Sequence, residues 1–188
     1  MLLGMALLYV GAVLFLNGLW ILGKVGDREI AVINIFVGLL TASVAAYSAF
    51  GPNADAASIK AAALTLLFSF TYLWVAWNRY NEADGRGLGW FSLFVAITIV
   101  PIGWETLTGA QTGWDIWFGL CWFAWAVLWF MFFLLLAQQM PIAKLTGAVT
   151  VAQGVLTGWL PGFLLLQGVM GPAAQAAATA TGVPAPNG

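Results

Sequence analysis

Three tryptophans, Trp122, Trp125 and Trp129, recur at spacings of three and four inside a long apolar run, which puts them on one face of a helix. Each indole carries an N–H that needs an acceptor, and at that depth in an apolar surrounding water supplies none. Such a face can pack as an aromatic core, or it can wall a passage with flat π surfaces. Periodicity alone leaves both open. Neutral polar side chains accompany it: Asn17, Asn34 and Gln153 fall at a shared depth, with Thr71 near them. An amide among apolar groups is costly without partners, so these side chains must face the interior of a helix bundle. There they either hydrogen-bond between helices or line one wet cavity.

Other chemistries are excluded by what is missing. The chain has no histidine, and its single cysteine, Cys121, sits between Leu120 and Trp122 as a small packing residue. Disulfide frameworks and Cys/His metal sites are therefore ruled out by count, and no nucleophile–base pair or cofactor motif marks an enzyme. Ion-coupled carriers commonly place a carboxylate, histidine or lysine within the bundle. Here the nearest candidate is Glu105, beside Thr106 and Thr108 at the end of an apolar run, where an interfacial or capping role is expected. Backbone carbonyls freed at Pro101 and Pro161 offer another route to an ion site. A proton- or sodium-coupled secondary transporter of a small neutral solute accordingly stands as the alternative to a passive channel.

The elements that position these residues are set by hydrophobicity. Of 188 residues 62% are hydrophobic and 7% charged, with a mean hydropathy of +0.94, whereas a water-facing surface needs charge at roughly a quarter of positions. The chain is expected to be an all-α integral membrane protein. Spanning about 30 Å of hydrocarbon takes about 20 apolar residues, and six stretches qualify: Leu2–Leu22, Ile30–Phe50, Ile59–Trp77, Trp90–Leu107, Trp114–Gln138 and Lys144–Met170. The first lacks the basic leading segment and small-residue cleavage site of a signal peptide and reads as a retained helix. Charges and helix breakers such as Gly23 to Glu29, Gly51-Pro52-Asn53 and Gln139-Met140-Pro141 separate the runs. Residues 171–188, rich in Ala, Pro, Gly and Thr, are expected to form a disordered tail after a channel domain of residues 1–170.

Lys24, Arg28, Arg79, Arg86 and Lys144 lie in alternate gaps, against Lys60 alone on the other side. The positive-inside rule then places both termini outside. A net charge of -1 without a basic patch makes nucleic acid an improbable partner. Leu19-Trp20, Leu73-Trp74 and Leu128-Trp129 recur at comparable depth in alternate spans, suggesting three helical-hairpin repeats related by rotation about the membrane normal. Trp114 and Trp117 fit an interfacial belt.

The chain resembles the AmiS/UreI family of bacterial urea and short-chain amide channels over nearly all of residues 1–170. The resemblance is carried by Leu7-Leu8-Tyr9-Val10-Gly11 with Asn17-Gly18, by Asn34-Ile35-Phe36-Val37-Gly38 and by Phe70-Thr71-Tyr72-Leu73. It continues through Ser92-Leu93-Phe94-Val95-Ala96 with Val100-Pro101, Trp122 with Trp125 and Val127-Leu128-Trp129, and Gly154-Val155-Leu156-Thr157 with Trp159 and Pro161. It implies a six-helix protomer with its own pore, assembled as a hexamer in the bacterial inner membrane. The permeant would be urea or a small aliphatic amide, and Phe70, Trp74, Trp122, Trp125, Trp129 and Gln153 would lie on the pore. Helical spacing then predicts a two-level constriction, with Phe70 and Trp125 on one level and Trp74 and Trp129 on the next. Acid-gated members carry histidines and carboxylates in their outer loops and a carboxylate at the position of Gln153. This chain has no histidine, a first outer loop of only a few residues around Asp55, and an uncharged Gln153, so acid gating is not expected.

Overall fold

The computed structural model describes residues 1–170, and the tail expected at 171–188 lies outside the described residues. Among the described residues six helices are long and apolar enough to cross a membrane: α1 Leu2–Ile21, α2 Asp27–Phe50, α3 Ala56–Tyr80, α4 Arg86–Thr108, α5 Gly113–Ala137 and α6 Ala143–Leu166. They coincide with the six runs read from the sequence, and the differences fall at the ends. Charged residues that look like loop from hydropathy form first turns instead. Asp27 and Glu29 open α2, where carboxylates complement the partial positive charge of the helix start. Asp55 caps α3 reciprocally with Ser58: its Oδ1 accepts from the Ser58 backbone N–H at 2.7 Å, and Ser58 Oγ accepts from the Asp55 N–H at 2.8 Å. Thr112 and Asp115 cap α5 in the same way.

The helices pack as three close antiparallel pairs, α2 with α3, α4 with α5, and α6 with α1. The pairs are offset by one helix from those suggested by the Leu-Trp repeat: α2–α3 and α4–α5 are hairpins, and the third pair joins the first helix to the last. Lipid tails are as apolar as leucine, so helices gain little by hiding apolar surface from them, and close pairs rely on small residues that let backbones touch. The α1–α6 pair shows this most fully. Gly4, Gly11 and Gly18 of α1 meet Gly162, Gly154 with Gly158, and Gly147 of α6 in antiparallel order. A Cβ on Gly154 would lie 2.6 Å from the Phe15 nitrogen, one on Gly158 2.5 Å from the Gly11 Cα, and one on Gly11 would overlap the Trp159 backbone. In the α2–α3 pair, Gly38 admits Leu73 and its carbonyl accepts from Ser69 Oγ at 2.7 Å. In the α4–α5 pair, Gly89 admits Ala137 and Gly119 admits Leu107.

Two segments widen into π-helix, Phe133–Ala137 at the end of α5 and Gly154–Trp159 within α6. The second ends just before Pro161, which has no N–H and whose ring crowds the carbonyl four residues earlier. The wider turn keeps α6 continuous across it. Pro101 lies inside α4, which also continues past it.

If contact between the α1 and α6 backbones holds the bundle closed, Gly11→Ala should destabilise the protein by about 1–3 kcal/mol, the usual cost of overpacking. Gly113→Ala, whose new methyl meets open space, should leave the thermal unfolding midpoint in detergent unchanged. Equal midpoints for the two variants would refute the role of the contact.

Candidate functional site

Three cavities follow one another through the bundle. The first lies toward the Asp55 end, among Leu7, Val10, Leu64, Thr65 and Trp122. The second is central, bordered by Asn17, Thr71, Tyr72, Ser92 and Leu128. The third opens at the Lys24 end, around Asn78, Arg79 and Leu136. Phe68 and Trp125 border both the first and the second. The central cavity offers water centres about 40 Å³, against about 10–15 Å³ for a single water, which is room for about three. A small solute fits such a space and a large one does not.

The partition between the first two cavities is aromatic. Phe68, 8% exposed, meets Trp125 edge to face at 5.0 Å and Trp129 at 4.7 Å between ring centroids, with Trp122 at 6.4 Å. Trp122 stands perpendicular to Trp125 at 5.0 Å. Edge-to-face contact suits rings whose faces are electron-rich and whose edges are electron-poor, so the cluster fixes the tilt of each ring.

The indole edges are tied by hydrogen bonds across helices. Trp125 Nε1 donates to Thr157 Oγ1 at 2.8 Å, and that hydroxyl donates to the Gln153 carbonyl at 2.7 Å. Trp129 Nε1 donates to Thr71 Oγ1 at 3.3 Å, and that hydroxyl donates to the Leu67 carbonyl at 2.7 Å. Each threonine thus spends its own proton on its helix and presents a lone pair to an indole. Both N–H groups are satisfied within the protein, as their depth requires.

The amides divide between the two roles open to them. Asn17 and Asn34 bond reciprocally, Asn17 Nδ2 to Asn34 Oδ1 at 3.1 Å and Asn34 Nδ2 to Asn17 Oδ1 at 2.7 Å. Asn34 also donates to the Ile30 carbonyl at 2.8 Å. Asn17 borders the central cavity, while Asn34 is fully buried behind it and joins α2 to α1. Gln153 Nε2 donates to the Ala124 carbonyl at 2.8 Å, linking α6 to α5 behind the tryptophan face, and its Oε1 has no partner in the protein. The Tyr72 hydroxyl at the central cavity also lacks one.

Of the residues singled out from sequence, Trp122, Trp125, Trp129, Thr71 and Asn17 come together around the cavities. Phe70 and Trp74 do not. Phe70 is 50% exposed on the outside of α3, and Trp74, 37% exposed, packs against Phe91 of α4 at 5.7 Å. At about 100° per residue, Phe70 points about 200° round the helix from Phe68. The ring opposite Trp125 and Trp129 is therefore Phe68, with Tyr72 one turn on. Thr71 was the available signal, because a polar group that must face inward carries Phe68, three residues earlier, inward with it. Glu105 pairs with Lys60 at 2.6 Å, both exposed at the helix ends.

Six apolar helices around a row of largely apolar cavities with aromatic walls define a multi-pass membrane transport protein. The model of the AmiS/UreI family transporters matches residues 2–169. A protein of Mycolicibacterium smegmatis described as a transporter of amidate substrates is 45% identical over 166 residues, covering 88% of this chain and 76% of that protein. The acid-activated urea channel of Helicobacter pylori is 36% identical over 190 aligned positions, covering 87% and 96%. The crystal structure of the Helicobacter pylori urea channel superposes with a TM-score of 0.77 at 38% identity, covering 88% of this chain and 97% of that one. The chain belongs to the AmiS/UreI family of transporters.

If Thr157 holds Trp125 in place, Thr157→Val leaves a buried N–H without an acceptor and should cost about 1–3 kcal/mol. Thr157→Ser should retain most of the stability. A thermal midpoint for the valine variant equal to that of the unsubstituted protein would show that the hydrogen bond contributes nothing.

Proposed function

We propose that the protein is a passive channel for urea or short aliphatic amides, with the row of cavities as its path. The observation that carries this reading is the aromatic partition of Phe68 and Trp125, backed by Trp129, between a wider cavity and a small central one. A planar neutral solute can slide between ring faces, exchanging N–H to water bonds for weak N–H to π contacts. Asn17 and the Tyr72 hydroxyl serve as stronger but still neutral partners in the central cavity. An ion would lose its hydration there without compensation and is excluded. Weak sites let the solute leave as readily as it enters. The names of the relatives, one a urea channel and one an amidate transporter, support this solute class.

The same reading puts the Lys24 end in the cytoplasm and both termini outside, as the Lys/Arg asymmetry requires. It seats the protomer in a homo-hexamer in the bacterial inner membrane. Trp122, Trp125, Trp129, Thr71 and Asn17 line the path, and Gln153 and Asn34 brace it.

Flux of urea or acetamide into proteoliposomes should be nonsaturating at millimolar solute, independent of imposed proton or sodium gradients, and unchanged on external acidification from pH 7 to 5. The Asp55 carboxylate is held below the usual carboxylate range by the Ser58 backbone N–H that it accepts, so it keeps its charge across that interval. A severalfold rise in flux on acidification would refute the ungated channel, and uptake driven by either gradient would favour the coupled transporter.

Truncation locates the selective level. Phe68→Ala should raise the permeability of butyramide relative to urea by about tenfold or more, the scale on which apolar pockets sort solutes differing by one or two methylenes. Phe70→Ala should leave the ratio unchanged. Equal ratios in both folded variants would reduce the partition to core packing.

A further inference from the structure

The cavities at the centre and at the Lys24 end share four bordering residues, Trp20, Val75, Leu88 and Phe132. Anything passing from one to the other crosses this ring of side chains, which lies apart from the Phe68 partition. Trp20 differs from the other three in being fixed at both its edge and its face. Its Nε1 donates to Asp27 Oδ1 at 2.6 Å, and the Arg79 guanidinium carbon stands 5.1 Å above the ring centroid. Arg79 in turn lies 3.6 Å from Asp27 Oδ1 and donates from Nη2 to the Ala83 carbonyl at 3.2 Å. Three elements thus converge on one indole: the end of α1 carries it, the first turn of α2 takes its proton edge, and the last turn of α3 covers its face.

An interfacial tryptophan of the usual kind turns its N–H to lipid headgroups and leaves its ring free to rock. Trp20 instead has a protein carboxylate as acceptor, and the cation over its ring adds a further electrostatic hold on its face. The arrangement holds the indole at one tilt, whereas Val75 and Leu88 contribute only aliphatic side chains to the same border.

We propose that Trp20 is a second selectivity element, a slot at the Lys24 end of the path, and that Asp27 and Arg79 are positioning residues that act through it. The proposal rests on the reading of the axial cavities as the conduction path, and it adds a barrier that the Phe68 partition does not supply. Trp20 sorts solutes by thickness and width as they leave the central cavity. Asp27 and Arg79 set the sharpness of that sorting without touching the solute.

Two measurements test it. In proteoliposomes, Trp20→Ala should raise the butyramide-to-urea permeability ratio by about tenfold, with Trp20→Phe, which keeps a flat ring but loses the N–H, in between. Asp27→Ala should raise the ratio in the unsubstituted background and add nothing when Trp20 is already alanine. A residue important only for folding would have the same effect in both backgrounds, and that result would overturn the positioning role. An unchanged ratio in folded Trp20→Ala would overturn the slot.

The second measurement does not depend on the permeant. Ser92, which borders the central cavity, is replaced by cysteine in a Cys121→Ser background, and a small, uncharged, polar thiol reagent is applied from the Lys24 end. Labelling should be several times faster with Trp20→Ala or Trp20→Phe than with Trp20 intact. If unsubstituted vesicles conduct neither urea nor acetamide, the proposed function fails while this labelling still decides the slot. Equal labelling rates would refute the slot even in a protein that conducts.

Discussion

Backbone contact between α1 and α6 is the interaction on which the rest of this structure depends. The first and last spanning helices are the ones that must meet to close a ring, and no loop joins them. Glycines at matching heights let them approach until Gly11 and Gly158 touch. That approach fixes the height and rotation of the π-helical stretch Gly154–Trp159, and with it Thr157. Thr157 accepts the Trp125 N–H, and Trp125 is half of the partition that separates two cavities. A steric fact about residues without side chains therefore reaches the tilt of a ring between two cavities through one hydrogen bond.

Much of this was legible before any coordinates. Six apolar runs of sufficient length allow few architectures, because lipid forces each backbone group to be satisfied within its own helix. The face of Trp122, Trp125 and Trp129 was equally plain, since deep indoles must find acceptors in the protein and so must point inward. The face of α3 was not. Aromatic side chains stand at every second position there, Phe68, Phe70, Tyr72 and Trp74, so two pairs four apart point to nearly opposite sides. Spacing cannot choose between them, and the family motif at Phe70-Thr71-Tyr72 draws attention to Phe70 and Trp74, the pair that the fold turns away from the cavities. Polarity resolves it: Thr71 must be inside to reach Trp129, and it carries Phe68 and Tyr72 with it.

The amides show a second limit of sequence reading. Shared depth groups Asn17, Asn34 and Gln153, but depth does not tell a wall from a brace. Asn34 and Gln153 satisfy backbone carbonyls and join neighbouring helices, while Asn17 stands between its partner and the cavity. Such a distinction depends on rotation of one helix by a fraction of a turn. Only packing sets that rotation, and the packing here is set by glycines whose partners lie far off in sequence.

The three close pairs leave three seams, α1 with α2, α3 with α4, and α5 with α6, where contact is far sparser. Mechanically the bundle is three closely packed plates meeting at three loosely packed joints. The plates carry the glycine contacts, so packing is densest within them and sparsest across the joints, as in the leaves of an iris. Each joint is bridged by a short loop at the Lys24 end and open at the other, which makes the assembly a set of hinges rather than sliding surfaces. If the cavities conduct, the angle between plates sets the width of the passage, and substitutions on a seam should retune conduction without touching its lining.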